Sequence, residues 1–191
     1  MQSILYGKLF NKDGNRKYTN PDASEKLIKY VTRTNGKPDD DLITWGGLGI
    51  TEYKDIDSII NQFYIVQKMH TRRGSSGRYI SHEVFSFEAE TEILIHEKKL
   101  DIDKIARKMA NDFYTIDNCQ VIYGVHKPEY EDKHMHIHFA INSVNYRTGN
   151  KRRENKSQTN KRNFRFQKII DNEIKKSDKA ALLNRAYNSA E

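Results

Sequence analysis

The chain has 191 residues, of which 36% are hydrophobic and 31% charged, with one cysteine and a formal net charge of +7. That length supports one domain with a real core, while a mean hydropathy of −0.88 demands a strongly charged surface. The lone Cys119 excludes an intramolecular disulfide framework, and no apolar run approaches the roughly 20 residues of a membrane span; with no signal peptide visible, the chain reads as cytoplasmic.

Ile4 to Phe10 predicts a first strand, ending at the turn Asn11-Lys12-Asp13-Gly14. Pro21 to Glu25 opens a helix that carries Leu27, Ile28 and Val31 on its apolar face and stops before Gly36 and Pro38. Asp39 to Gly49, rich in Asp and Gly and holding the only tryptophan, Trp45, reads as a loop. Lys54 to Met69 spaces Ile56, Ile59, Ile60, Phe63 and Val66 as a helix does. The basic loop Arg72 to Arg78 leads into the alternating strand Tyr79 to Phe87. Leu100 to Phe113 is an amphipathic helix, and Cys119 just beyond it belongs to the core. Strands at Gln120 to Val125 and His136 to Val144 form a hairpin across the polar loop Lys127 to Lys133, and a last helix runs from about Phe164 to Tyr187. With no repeat or linker, residues 1–191 are expected to form one domain, either complete or the N-terminal part of a longer protein. The fold class expected is α+β, a mainly antiparallel central sheet flanked by helices.

The charge is local. Nine cations (Arg147, Lys151, Arg152, Arg153, Lys156, Lys161, Arg162, Arg165 and Lys168) face one acid, Glu154, so this stretch alone exceeds the net charge of the whole chain. Such a patch suits a phosphate backbone.

The densest chemistry is in His134-Met135-His136-Ile137-His138. Alternate residues of a strand share a face, so His136 and His138, roughly 6.8 Å apart, can chelate one ion together. His134 and His138, about 13 Å apart, cannot converge on imidazole–metal bonds of roughly 2.1 Å. A third ligand then comes from a neighbouring strand, where His126 is the natural candidate; His134 is left as second partner or alternate ligand. Three neutral ligands leave coordination positions open and the ion's charge largely uncompensated, which suits polarising a phosphate. His82 could face the same site, although a structural role suits a single histidine better; His70 and His96 read as surface residues. Tyr30 ends a helical segment between Lys29 and Arg33, which would hold a DNA backbone and favour the phenolate.

These segments together resemble a conjugative relaxase (mobilisation nickase) of the HUH endonuclease superfamily, in the branch that includes the T-DNA border nickase. The resemblance is carried by Leu27-Ile28-Lys29-Tyr30-Val31-Thr32-Arg33-Thr34, by Ile80-Ser81-His82-Glu83-Val84-Phe85-Ser86-Phe87, by Gly124-Val125-His126 with His134 to Asn142, and by Val144-Asn145-Tyr146-Arg147-Thr148-Gly149. Here the loop containing Pro128 to Lys133 makes the His126 to His136 spacing longer than usual in that branch.

The resemblance implies that Tyr30 attacks single-stranded DNA at a transfer origin to leave a 5′-phosphotyrosyl bond. It implies a divalent metal on His126, His136 and His138, Mg2+ or Mn2+ in function and Zn2+ or Ni2+ in a crystal. It also implies an acidic residue near the histidines; Glu83, Glu129 and Asp132 qualify, and Glu83 is favoured by its place in the second motif. The expected DNA contacts are Lys29, Arg33, Arg72, Arg73, Arg78, Arg147, Lys151, Arg152, Arg153, Lys161, Arg162 and Arg165, with Trp45, Tyr79, Tyr146, Phe164 and Phe166 as candidate stacking platforms. The expected partners are the nick-site strand and its adjacent hairpin, relaxosome accessory proteins and a coupling protein, without membrane insertion. Rolling-circle initiators and single-strand transposases of the same superfamily place their tyrosine after the histidines, where this chain offers only Tyr146, too close to the histidine strand, and Tyr187, near the end. A metal-stabilised, non-catalytic DNA-binding module is the rival from another class.

Overall fold

A computed structural model describes residues 5–12, 18–36, 40–51, 55–70, 77–128 and 134–188. Its elements, in chain order, are β1 (Gly7–Asn11), α1 (Ala23–Val31), β2 (Leu42–Leu48), α2 (Ile56–Lys68), β3 (Ile80–Phe87), α3 (Ala89–Glu97), α4 (Ile102–Thr115), β4 (Val121–His126), β5 (His136–Asn142) and α5 (Lys156–Asn188). The five strands form one sheet in the order β1-β3-β5-β4-β2, every neighbouring pair antiparallel. This is the expected α+β class, with the β4–β5 hairpin at its centre.

The alternation of residues along β3, β4 and β5 sorts the core into two layers. One face packs Phe85, Tyr123, Val125, Ile137 and Phe139 against Met109 and Phe113 of α4 and Phe166 of α5. The other packs Ile80, Ile122 and Ala140 against Leu27, Ile28 and Val31 of α1 and Ile59 and Phe63 of α2. Helices α2 and α4 begin where Asp55 and Asp101 accept backbone N–H bonds from their first turns. Cys119 lies fully buried at the α4–β4 junction, and burial pushes its thiol up to about 12.

Three elements differ from expectation. The segment read as a loop contains β2, an edge strand whose Gly46 and Gly47 dilute the strand pattern; a Cβ at either would meet the Tyr123 ring or the Ile122 and Ile50 side chains. Helix α3 was not expected, because it buries little more than Thr91 and Ile95 and so lacks an apolar stripe. Helix α5 starts at Lys156 rather than about Phe164, since its first two turns are almost wholly polar. It closes the outer edge of β1: Asn163 Oδ1 accepts from Leu9 N–H at 3.0 Å and Gln167 Oε1 from Tyr6 N–H at 2.7 Å. No helix among the described residues is long and apolar enough to cross a membrane.

Candidate active site

Because β5 is the middle strand, its histidines have an imidazole-bearing neighbour on either side. His126 of β4 lies opposite His136, and His82 of β3 lies opposite Ala140, one step from His138. All four project from the face that α1 covers. One nitrogen from each of His126, His136 and His138 falls within 4.8 Å of the others.

The second nitrogen of each ring is anchored. His126 Nε2 donates to Val31 O at 2.9 Å and His136 Nδ1 to His134 O at 2.9 Å. A carbonyl can only accept, so the lone pairs of these rings lie on His126 Nδ1 and His136 Nε2. His138 Nδ1 lies 2.8 Å from His82 Nε2, and His82 Nδ1 lies 2.9 Å from the Tyr18 hydroxyl. His126 Nδ1 and His138 Nε2 are buried without a hydrogen-bond partner among the described residues, an expensive arrangement that a cation between the three rings would relieve. Burial holds the His126 imidazole down at about 4 and the His138 imidazole well below its ordinary value. Both are therefore neutral, as metal ligands must be. The triad fits a divalent metal.

The end of α1 carries Tyr30 onto this cluster. Its ring centroid is 5.2 Å from that of His138 and 6.1 Å from those of His82 and His126. Close approach of the helix depends on Gly124, which pairs with His138: a Cβ there would collide with the Val31 carbonyl and press on His126 Nε2. Gly124→Ala should displace the end of α1, costing about 1–3 kcal/mol and lowering Tm by roughly 3–10 °C. Thermal melts together with nicking assays check this; a variant with wild-type melting and nicking would show that the close contact is dispensable.

Helix α1 ends in a Schellman turn, with Thr34 N–H bonded to Lys29 O and Arg33 N–H to Tyr30 O. The left-handed residue of that turn is Arg33, at φ 56°, where glycine is usual. The strain of roughly 1–2 kcal/mol is held by the side chain. The guanidinium grips both oxygens of Asp41, donates to Tyr30 O and lies 4.7 Å from the centre of the Tyr30 ring.

Several expected site residues lie elsewhere. Glu83 alternates with His82 and so faces the opposite side of the sheet, fully buried against Arg152 at 2.7 Å; it does not reach the histidines. Glu129, Asp132, Arg72 and Arg73 fall outside the described residues. Among the described residues the acid beside the triad is Asp41, with Oδ2 3.9 Å from His126 Nδ1. The run Asp39-Asp40-Asp41 was its sequence signal, obscured by the loop reading. His134 is turned away to Glu92, at 3.4 Å, and is 43% exposed.

The basic residues divide in the same way. Arg33 is buried on Asp41, and Lys29 pairs with Glu25 at 2.7 Å. Arg152 and Arg162 are buried in an ion network with Glu83, Asp112, Asp117 and Glu154 on the far side of the sheet, the Arg162 guanidinium 4.2 Å from the Phe113 ring centre; Arg165, 36% exposed, joins it through Asp112. The Lys151 ammonium bonds Arg78 O at 2.7 Å and covers the Tyr79 ring, leaving Arg147, Arg153 and Lys161 exposed. Among the aromatic candidates, Phe166 is core, Tyr146 stacks on Tyr114 and Trp45 is half-buried beside the α1 layer; Phe164 is 59% exposed.

A sheet bearing a three-histidine cluster, with a tyrosine held against it, has the donor set of a metal site and a hydroxyl beside it. Comparison with family models makes the class specific: the MobA/VirD2-like relaxase nuclease domain matches residues 30–176, and the chain belongs to that family. Membership makes it a DNA-nicking nuclease that binds single-stranded DNA. No match among curated proteins adds to this.

Proposed function

We propose that the protein nicks one strand at the transfer origin of a plasmid or integrative element and holds the cut strand on Tyr30, starting conjugative transfer. The observation that carries this reading is the Tyr30 ring 5.2 Å from His138, beside the buried lone pairs of His126 and His138 that have no hydrogen-bond partner among the described residues. The phenol oxygen attacks phosphorus, the bond to the 3′ oxygen breaks, and the proton lost by the phenol is balanced by the one the 3′ hydroxyl gains. Because a phosphodiester is exchanged for a phosphotyrosyl ester, the step runs back as readily and can rejoin the strand. Arg33 and Asp41 hold the end of α1, while Tyr18 and His82 fix the ring of His138. A divalent cation on His126, His136 and His138, Mg2+ or Mn2+, would polarise the scissile phosphate and offset the charge that builds on its oxygens. Relaxosome accessory proteins and a coupling protein are the partners this role requires.

The test is an origin oligonucleotide incubated with the protein and Mg2+ or Mn2+, scored for a denaturant-resistant adduct. Chelation should abolish the adduct, and so should His136→Ala, which should also lose Mn2+ binding by calorimetry while melting within a few degrees of the metal-free wild type, because His136 is only half-buried. No adduct on any cognate origin strand, or full activity in chelator, would remove the proposal.

A further inference from the structure

The exposed basic surface that the internal arginine network takes away from residues 147–165 is replaced by another, which the sheet register leads to directly. His126, His136, Ser86 and Lys8 form one row across β4, β5, β3 and β1. All four occupy the face that carries the triad. The row opens steadily, from the fully buried His126 through half-buried His136 and Ser86 to exposed Lys8. In the adjacent row, His138 pairs with Val84 and Val84 with Phe10, whose ring is 40% exposed among the described residues. The Lys8 ammonium lies 5.3 Å from the centre of that ring. A second pair of the same kind follows at the same edge. Asn163 is bonded to Leu9, and the next residue of α5, Phe164, is 59% exposed with the Lys168 ammonium 4.5 Å from its ring centre.

We infer that Lys8 with Phe10, and then Phe164 with Lys168, form the track along which the single strand leaves the metal site over the β1 edge. Alternating aromatic faces and cations are what a single strand requires, the rings taking bases and the ammonium groups taking phosphates. Strand spacing puts Lys8 about 10 Å from His136, roughly three stacked nucleotides at ~3.4 Å each. Lys8 and Phe10 lie before residue 30, outside the segment that matches the family, and Phe164 and Lys168 lie within it, so the family likeness alone does not supply the track. The inference rests on the nicking reading and names the strand's path from that same site.

The probe is a fluorescent single-stranded oligonucleotide series of graded length, titrated against wild type, Lys8→Ala, Phe10→Ala, Phe10→Trp and Phe164→Ala, each first shown to melt as wild type does. Phe10→Ala and Phe164→Ala should each weaken binding of the long strand about five- to hundredfold, with the shortest strands little affected. Phe10→Trp should bind as wild type, and Lys8→Ala should flatten the slope of log affinity against log salt by about 0.7. If wild type binds the long strand and either phenylalanine-to-alanine variant binds it equally well, the track is wrong and the nicking reading stands. If wild type binds no single strand at all, the nicking reading falls and takes the track with it.

Discussion

Tyr30→Phe is expected to reduce covalent adduct formation to background while leaving DNA binding within a few-fold of wild type. A phenyl ring has no oxygen to make a phosphotyrosyl ester, so the chemical loss is complete rather than graded. Little else should change. The substituted ring keeps its edge contacts with His82, His126 and His138 and stays beneath the Arg33 guanidinium. Separation of the two readouts is what identifies a nucleophile: a positioning residue would lower rate without erasing the adduct. Persistence of the adduct would transfer the role to another tyrosine on this face, with Tyr18, hydroxyl-bonded to His82, first in line. Wild-type biological activity in Tyr30→Phe would instead favour the non-catalytic DNA-binding module.

The contrast between what was readable from sequence and what was not has physical causes. Period-two alternation revealed β3, β4 and β5, because strands covered on both faces carry apolar residues on one side and the site's histidines on the other. Strand spacing made His126 the natural third ligand and left His134 as the alternate; the structure brings His126, His136 and His138 together and turns His134 to Glu92. The pleat puts Glu83, one residue out of phase with His82, on the opposite face, whatever its place in the motif. Asp41 was hidden because β2 is an edge strand with two adjacent glycines, and its acid acts through Arg33 across a turn rather than along an element. The arginines of residues 147–165 misled for a different reason. Charge can be counted in a sequence, but burial cannot, and two of the three acids that neutralise Arg162, Asp112 and Asp117, lie some fifty residues away along the chain.

That difference yields the largest expected effect on stability. Arg162→Met should destabilise the protein by about 3–5 kcal/mol and lower Tm by roughly 6–20 °C, yet leave the salt dependence of single-strand binding unchanged. Arg162 is 2% exposed and donates to Asp112, Asp117 and Glu154 together, at 2.9 Å to Asp112 and 2.8 Å to Asp117. Methionine fills a similar length but leaves these carboxylates to Arg152 and Arg165 alone. The loss should depend on pH. Burial already pushes the Glu154 carboxyl up, to about 7, and removing a cation pushes it further. A carboxyl whose folded pKa is raised favours the folded state below its unfolded value near 4.5 and gives up that stability as pH rises towards the folded value. The gap in Tm between Arg162→Met and wild type should therefore be smaller at pH 5 than at pH 8. A variant that melts like wild type but binds DNA with a shallower salt slope would return Arg162 to the DNA surface. The fold argues otherwise, because α5 turns this arginine inward over Phe113, behind the sheet from Tyr30.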